Sequence, residues 1–388
     1  MFLIIMISIS NFSNLNDFLN NFDEEIIINS ENKEMNILGL YLKYWKTGYE
    51  DYKTTANIMR SELYKNFSAD ESVLLNILSE TIPFDYFKPQ KDLEEALNIY
   101  NNSIILNSMY IYFAYTDWEK SRNLIKLKKI NGAISKIEQL KGKTPFTSYY
   151  HSLILWNSKI YQNKNEAYNE LKAMYINHKD NQKILELLIK FCYSLNKLDE
   201  IISYSELYKN FSKKDNKILL LIAKTYQKNK NYKKSRDLIQ NIINNTNKNN
   251  VLASSYEILG DMASTTSQKI NYYRLSLKND PKNPTVLEKL GRTYYTGNEK
   301  NLNLARIYLS KSLTFDPNQE KTYKMLISIQ KKYRIYAFFS YVLPLFLISV
   351  LLIFILIHKK NEKEIIVEKI GEKINVKNEI MRSEKNEE

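Results

Sequence analysis

Histidine, cysteine and paired carboxylates are the side chains from which most catalytic and metal sites are built, and their spacing here builds neither. The three histidines, His151, His178 and His358, stand far apart. There is no H-E-x-x-H, no cysteine pair for zinc and no G-x-x-x-x-G-K-[ST] phosphate loop. The single Cys192 has no partner for an internal disulfide. It falls among apolar residues at helical spacing, where a small buried hydrophobe is the expected role. The sequence therefore predicts no catalytic residue, no metal, no cofactor and no enzyme. Trp45, Trp118 and Trp156 recur in helical stretches and read as packing residues, with an exposed anchor as the alternative for Trp156.

The elements behind these residues are helices. Only 8 glycines and 7 prolines occur in 388 residues, too few for a turn-rich β fold or a nucleotide-binding α/β fold. Apolar residues make up 44% and charged residues 26%, a balance that supports a packed core. The net charge is +13. It has two readings: an acidic partner such as nucleic acid, anionic lipid or an acidic peptide, or an Asn-, Lys- and Ile-rich composition with no bearing on partners. No dense Lys/Arg run decides between them.

Residues Ile335 to Ile357 carry no charge and are long enough to cross roughly 30 Å of hydrocarbon as a helix. Lys331, Lys332 and Arg334 flank the run on one side, and His358, Lys359 and Lys360 on the other. Tyr333, Tyr336 and Tyr341 cluster where an interfacial belt belongs. Pro344 is tolerable in such a span. Met1 to Ser10 is a second apolar stretch, too short to span, and reads either as a signal core or as an apolar element end. With a signal there, the region up to Arg334 is expected outside the cytoplasm and the tail inside. Residues 358–388 form a charged tail, from Lys359 onward balanced at eight basic and eight acidic residues. It reads either as solvated, mostly disordered chain or, from the four-residue spacing of Ile366, Ile370 and Ile374, as a short amphipathic helix.

An internal period organises the rest. From Pro284 the sequence reads Leu287-x2-Leu290-Gly291-x2-Tyr294, then Ala305-x3-Leu309, Ser312 and Pro317. Leu219, Ile222, Ala223, Tyr226, Ser235, Ile239 and Ile242 repeat the phase upstream. So do Leu185, Leu188, Ile189, Cys192, Ile201, Ser205 and Tyr208, and before them Ile154, Leu155, Ala167, Leu171 and Met174. Tyr256-x2-Leu259-Gly260-x2-Ala263 and Met35-x2-Leu38-Gly39-x2-Leu42 fit first helices. Ala133, Ile137, Leu140 and Pro145, and Ala96, Tyr100 and Ser103, fit second helices, with Pro83 and Pro89 breaking a longer loop. Gly39, Gly260 and Gly291 share one repeat position. A mid-helix glycine costs about 1 kcal/mol against alanine, so the recurrence predicts close helix contact.

This pattern resembles the tetratricopeptide repeat. The resemblance implies an all-α fold: a solenoid of helix-turn-helix repeats, about eight pairs between Ser30 and Pro317, followed by one C-terminal transmembrane helix. The expected boundaries are a signal at 1–10, degenerate repeats at 30–145, clear repeats at 146–317, a capping helix at 318–334, the span at 335–357 and the tail at 358–388. The layout is similar to that of membrane-anchored bacterial members, aerotolerance proteins of the Bat type among them. The implied function is a membrane-anchored scaffold for a protein or peptide partner, in assembly or maintenance of a cell-envelope complex. The alternative is a basic solenoid for nucleic acid or anionic lipid. In the family the inner face is lined from the first helices. Carried over, this places Trp156, Lys159, Lys190, Tyr193, Lys224, Gln227, Arg292 and Tyr295 on the binding face, with Glu257, Asp261 and Glu288 beside them. Leu220 and Lys224 depart from the family's carboxylate clamp.

Overall fold

The computed structural model describes residues 18–20, 22–23, 27–297 and 300–384; the apolar residues 1–10 lie outside that range. Helices follow one another in pairs, and the chain divides into two compact units at Asn245 and Thr246. The first unit holds six pairs: α1 (Lys33–Thr47) with α2 (Glu50–Leu63), α3 (Ala69–Glu80) with α4 (Phe87–Ile99), α5 (Ile104–Ser121) with α6 (Leu124–Lys141), α7 (Pro145–Asn157) with α8 (Lys164–Asn177), α9 (Gln182–Ser194) with α10 (Leu198–Tyr208), and α11 (Asn216–Lys228) with α12 (Tyr232–Asn244). The second holds α13 (Asn249–Met262) with α14 (Thr266–Asn279) and α15 (Pro284–Thr296) with α16 (Leu302–Phe315), then α17 (Glu320–Ala337) and α18 (Leu343–Glu384).

Local chemistry explains why the helices start where they do. Asparagine, abundant throughout, caps α1, α6, α8, α9, α12, α15 and α16. In each the side-chain oxygen of Asn32, Asn123, Asn163, Asn181, Asn231, Asn283 or Asn301 accepts a backbone N–H of the first turn. A composition that looked like drift thus does structural work. Pro89 does not break a loop. It is the third residue of α4, where the orphan first-turn N–H groups make proline harmless. Tyr100 and Ser103 do not sit inside a second helix either: Tyr100 ends α4, and Ser103 caps α5 through its bond from Leu106 N. Leu140 is 41% exposed, whereas Ala133 and Ile137 of the same helix are buried.

The recurring glycines mark close approaches. A Cβ on Gly291 would lie 2.8 Å from Leu309 Cγ, and one on Gly260 would lie 2.5 Å from the Tyr273 ring. In both, the first helix of a pair meets its own second helix. Gly39 is tight for a different reason: its Cβ would lie 2.8 Å from Ile28 Cγ1 and Ile28 N, in the segment preceding α1.

In the first unit the first helices also touch in series. Helix α1 meets α3, α3 meets α5, α5 meets α7, α7 meets α9, and α9 meets α11. One face of this unit is therefore built from first helices alone, and it positions the site described below.

Helices α17 and α18 run as one helix through Glu379, and its most apolar window has mean hydropathy 2.8 with none of it buried. A core helix would be covered there; this one is long and apolar enough to cross a membrane, and its apolar window is uncovered. Phe338–Val342 widens into a π-turn. Pro344 lacks the N–H that would bond the carbonyl of Ser340 and crowds that carbonyl, and the wider turn absorbs the clash. The charged tail continues the helix to Glu384 instead of leaving it as extended chain.

Candidate functional site

The first-helix face of the first unit carries a cleft of about 350 Å3. Its walls are Trp45 and Lys46 of α1, Tyr112, Tyr115, Thr116 and Glu119 of α5, Tyr149, Tyr150 and Leu153 of α7, and Lys183 of α9, with Phe84, Tyr86 and Phe22 at the margins. No second-helix side chain within α2, α4, α6, α8 or α10 contributes.

Aromatic packing fixes these walls. Trp45 is buried, donates its indole N–H to Asp85 O at 2.8 Å and meets Tyr86 and Phe113 edge-on at 5.0 and 4.9 Å. Tyr115 meets Tyr150 at 5.4 Å, and its hydroxyl accepts from Asn157 Nδ2 at 3.0 Å. Burial pushes the Tyr115 phenol well above its ordinary range, so it stays neutral and hydrogen-bonding. Lysines close over the rings: Lys120 lies 3.9 Å from the Tyr86 centroid and Lys46 lies 5.6 Å from that of Tyr112. The cleft thus offers aromatic faces under a cationic rim, chemistry that suits an apolar or aromatic anchor beside a carboxylate.

Phe84 stands out. Its φ is 63°, left-handed backbone that non-glycine residues rarely adopt, and its ring is 59% exposed. The Phe84 N–H bonds Trp45 O at 3.0 Å and holds the turn in place. A strained backbone that exposes a large aromatic ring at a cleft is the kind of cost a protein carries at a functional site.

The inner-face residues expected from the sequence fall in different surroundings. Lys190 is exposed on α9 and Lys224 half-buried on α11, one repeat apart on touching helices. Tyr193 lies under Lys228 Nζ, 4.5 Å from its centroid, and Gln227 is half-buried beside them in sequence. Trp156 stacks on Phe191 and so packs α7 against α9. Lys159 is not on a first helix: α7 begins at Pro145, ends at Asn157, and leaves Lys159 in the turn that follows. In the second unit, Arg292 pairs with Glu288 at 3.7 Å. The Tyr295 hydroxyl bonds Ser328 Oγ at 2.9 Å, which with Lys332 lowers its pKa and ties α15 to α17. Glu257 and Asp261 are both taken by Lys289, at 2.6 and 2.7 Å. Burial works against the Lys289 charge, but the two carboxylates outweigh it and raise its pKa.

His151 is not isolated. Its Nδ1 lies 2.7 Å from Glu170 Oε2, with Lys143 on the other carboxylate oxygen at 3.1 Å. Ser148, one turn earlier, is fully buried and its hydroxyl bonds nothing, so serine, histidine and glutamate form no nucleophilic relay. Cys192 is buried, and burial pushes its thiol up to about 12, away from nucleophilic use. Among the described residues no group of three His, Cys, Asp or Glu is placed to hold a metal.

First helices begin at Gln182, Asn216, Asn249 and Pro284, steps of 34, 33 and 35 residues, each followed by an antiparallel-type partner at a short turn. The fold is a tetratricopeptide-like helical repeat. No family model matches the chain, and no curated protein does. Solved structures similar to it include two described as TPR proteins. The C-terminal part of a TPR repeat-containing protein from Cytophaga hutchinsonii is 15% identical, with 62% of this chain and 93% of that one covered at TM-score 0.43. YrrB, a TPR protein described with an unusual peptide-binding site, is 13% identical over 62% and 97% at TM-score 0.31. The human IFIT1 dimer with PPP-AAAA is 12% identical over 83% and 73% at TM-score 0.40. At these values the likeness carries no argument about fold or partners.

Proposed function

We propose that this tetratricopeptide-like chain is a membrane-anchored scaffold that captures a protein or peptide segment on the first-helix face of its first unit. The observation that carries the reading is the cleft, whose walls are largely buried aromatic rings with the exposed ring of Phe84 and lysines beside them; we extend the binding face along the neighbouring first helices α9 and α11 to Lys190, Tyr193, Lys224 and Gln227. A partner with an apolar anchor and carboxylates fits it. Nucleic acid is the weaker reading, because Glu119 lines the cleft and Asp23 already takes its Lys183, which reduces the positive charge offered to phosphates there. Anchoring belongs to residues 335–357. The arrangement we infer has the repeats outside the cytoplasm and the tail inside, holding an envelope complex at the membrane. Carbonate extraction of a chain ending at Arg334 tests the anchor; release into the soluble fraction is expected, and retention counts against it.

The binding reading is tested by reversing charge. The double variant Lys190→Glu and Lys224→Glu, purified from membranes with its partners, is expected to lose captured protein while helicity and melting stay as in the wild type. Undiminished capture by a folded variant removes this face from the proposal.

A further inference from the structure

One occupant of the first-helix face is already present, and it belongs to this chain. Residues 18–20 and 22–23, ahead of α1 in sequence, lie against α7 and the start of α9. Phe18 and Phe22 pack on Phe146 at 5.5 and 5.4 Å, and Phe22 meets Tyr149 edge-on at 4.9 Å. Asn181, at the start of α9, donates its side-chain amide to the Asn20 carbonyl. Asp23 pairs with Lys183 Nζ at 2.9 Å. Downstream, Ile27 and Ile28 close on Gly39, where a side chain on the helix would collide with the Ile28 backbone.

The manner of attachment is that of a bound peptide. Within the segment Ile27 N bonds Asp23 O and Ser30 N bonds Ile27 O. Ring faces, the Asp23–Lys183 ion pair and the Asn181 side-chain amide hold the described residues of the segment on α7 and α9. Phe22 sits at the margin of the aromatic cleft, and Lys183 both lines that cleft and holds Asp23. The two chemistries attributed above to a partner, an aromatic anchor and a carboxylate, are thus both supplied in cis by the consecutive residues Phe22 and Asp23.

We propose that Phe22-Asp23 is a built-in, displaceable occupant of the scaffold's groove, and that the partner enters with the same pair, an aromatic residue followed by a carboxylate. The proposal rests on the scaffold reading and names the ligand chemistry of that site. An intramolecular occupant competes at high effective concentration, so an external segment of equal chemistry binds weakly until the cis segment is loosened.

The probe is a fluorescent synthetic peptide copying residues 16–25, titrated against the full chain in detergent. Weak binding to the wild type is expected, and binding at least about tenfold tighter to Phe22→Ala, which empties the anchor position. Asp23→Lys leaves the rings in place and serves where Phe22→Ala does not fold. It is expected to tighten peptide binding roughly two- to fivefold, as loss of one partly exposed ion pair implies. In the Phe22→Ala background, Lys183→Glu should weaken the peptide, and a peptide with lysine in place of its Asp23 should recover. Equal peptide affinity for the wild type, Phe22→Ala and Asp23→Lys, at unchanged helicity, overturns the proposal and leaves the segment a fixed part of the core. If that happens while the Lys190/Lys224 charge reversal still abolishes partner capture, the scaffold reading stands and only the displaceable occupant falls. If capture is also indifferent to the reversal, both fall.

Discussion

The indole of Trp156 on α7 lies flat on the ring of Phe191 on α9, centroids 3.8 Å apart and planes 7° from parallel. Lys164 Nζ stands 5.3 Å from the indole centroid, at the start of α8. The pair joins two successive repeats, and in a repeat protein stability is largely a sum of such neighbour terms. Trp156→Ala is expected to cost about 2 kcal/mol in urea unfolding, below the fully buried range because the side chain is half-exposed. Trp156→Phe should recover most of it. An unchanged midpoint in the alanine variant would mean that the stack does not couple the repeats.

Gly291 and Gly260 differ in what a side chain would meet. At Gly291 the neighbours are Leu309 side-chain atoms at 2.8 and 2.9 Å and its backbone N at 3.1 Å. At Gly260 the neighbour is the Tyr273 ring, whose hydroxyl donates to Asp261 at 2.8 Å and so has little room to swing away. Gly291→Leu should destabilise by roughly 1–3 kcal/mol through overpacking, and Gly260→Ala by a comparable amount despite adding a single methyl. Thermal melting of both variants checks this; wild-type melting would show that the helix pairs do not meet as described.

Phe84 separates stability from binding. Glycine relieves the left-handed strain at this position, worth about 1 kcal/mol, but removes an aromatic ring from the cleft margin. Phe84→Gly is therefore expected to melt no lower than the wild type and to capture less partner. A variant that melts higher and captures as before would show that the ring plays no part in recognition.

The His151–Glu170 pair predicts a pH dependence with a definite sign. The bond to Glu170 raises the His151 pKa above its ordinary 6.5, with burial opposing it. Its stabilisation is fully present below 6.5 and is lost as pH rises through the folded-state value. For Glu170 burial raises the pKa, but the bonds from His151 and Lys143 more than offset this and lower it. That share is present above the ordinary carboxylate value of 4.5 and is lost as pH falls through the folded-state value. Melting of the wild type relative to His151→Gln should be higher at about pH 5.5 than at about pH 8. A difference independent of pH would mean that the pair does not form in solution.

The repeat fold was legible where small and large residues alternate at fixed spacing. Leu287, Leu290, Gly291, Tyr294, Ala305 and Leu309 are all buried in one packed pair, so their periodicity is the packing itself. The first unit was harder to read because α5 is buried on nearly every side, Asn107 and Ser108 included, and a helix without an exposed face has no amphipathic signal. Proline misled at Pro89, where its tolerated place in a first turn resembles a break. The cleft was missed for a related reason. Tyr112 and Tyr115, three apart on α5, and Tyr149 and Tyr150 on α7 belong to no motif, and only the contact of α5 with α7 brings them to one face. The spacing of Tyr112 and Tyr115 was the available clue. The N-terminal segment carried no clue at all, since Asp23 and Lys183 pair across a stretch of chain that no local pattern encodes. Lys159 failed on register: a helix that starts early at Pro145 also ends early, and a 34-residue carry-over overshoots it.

In the proposed scaffold, first helices and not second helices present the binding face. Site-specific photo-crosslinking in intact cells tests it most directly. A photoreactive residue is placed singly at Lys190 on α9, at Tyr112 on α5, and at the exposed positions Lys233 and Gln240 on α12 as the opposite-face set. A crosslinked partner band is expected from Lys190 and Tyr112 and none from Lys233 or Gln240. Crosslinks confined to the α12 positions, or equal from both sets, would contradict it.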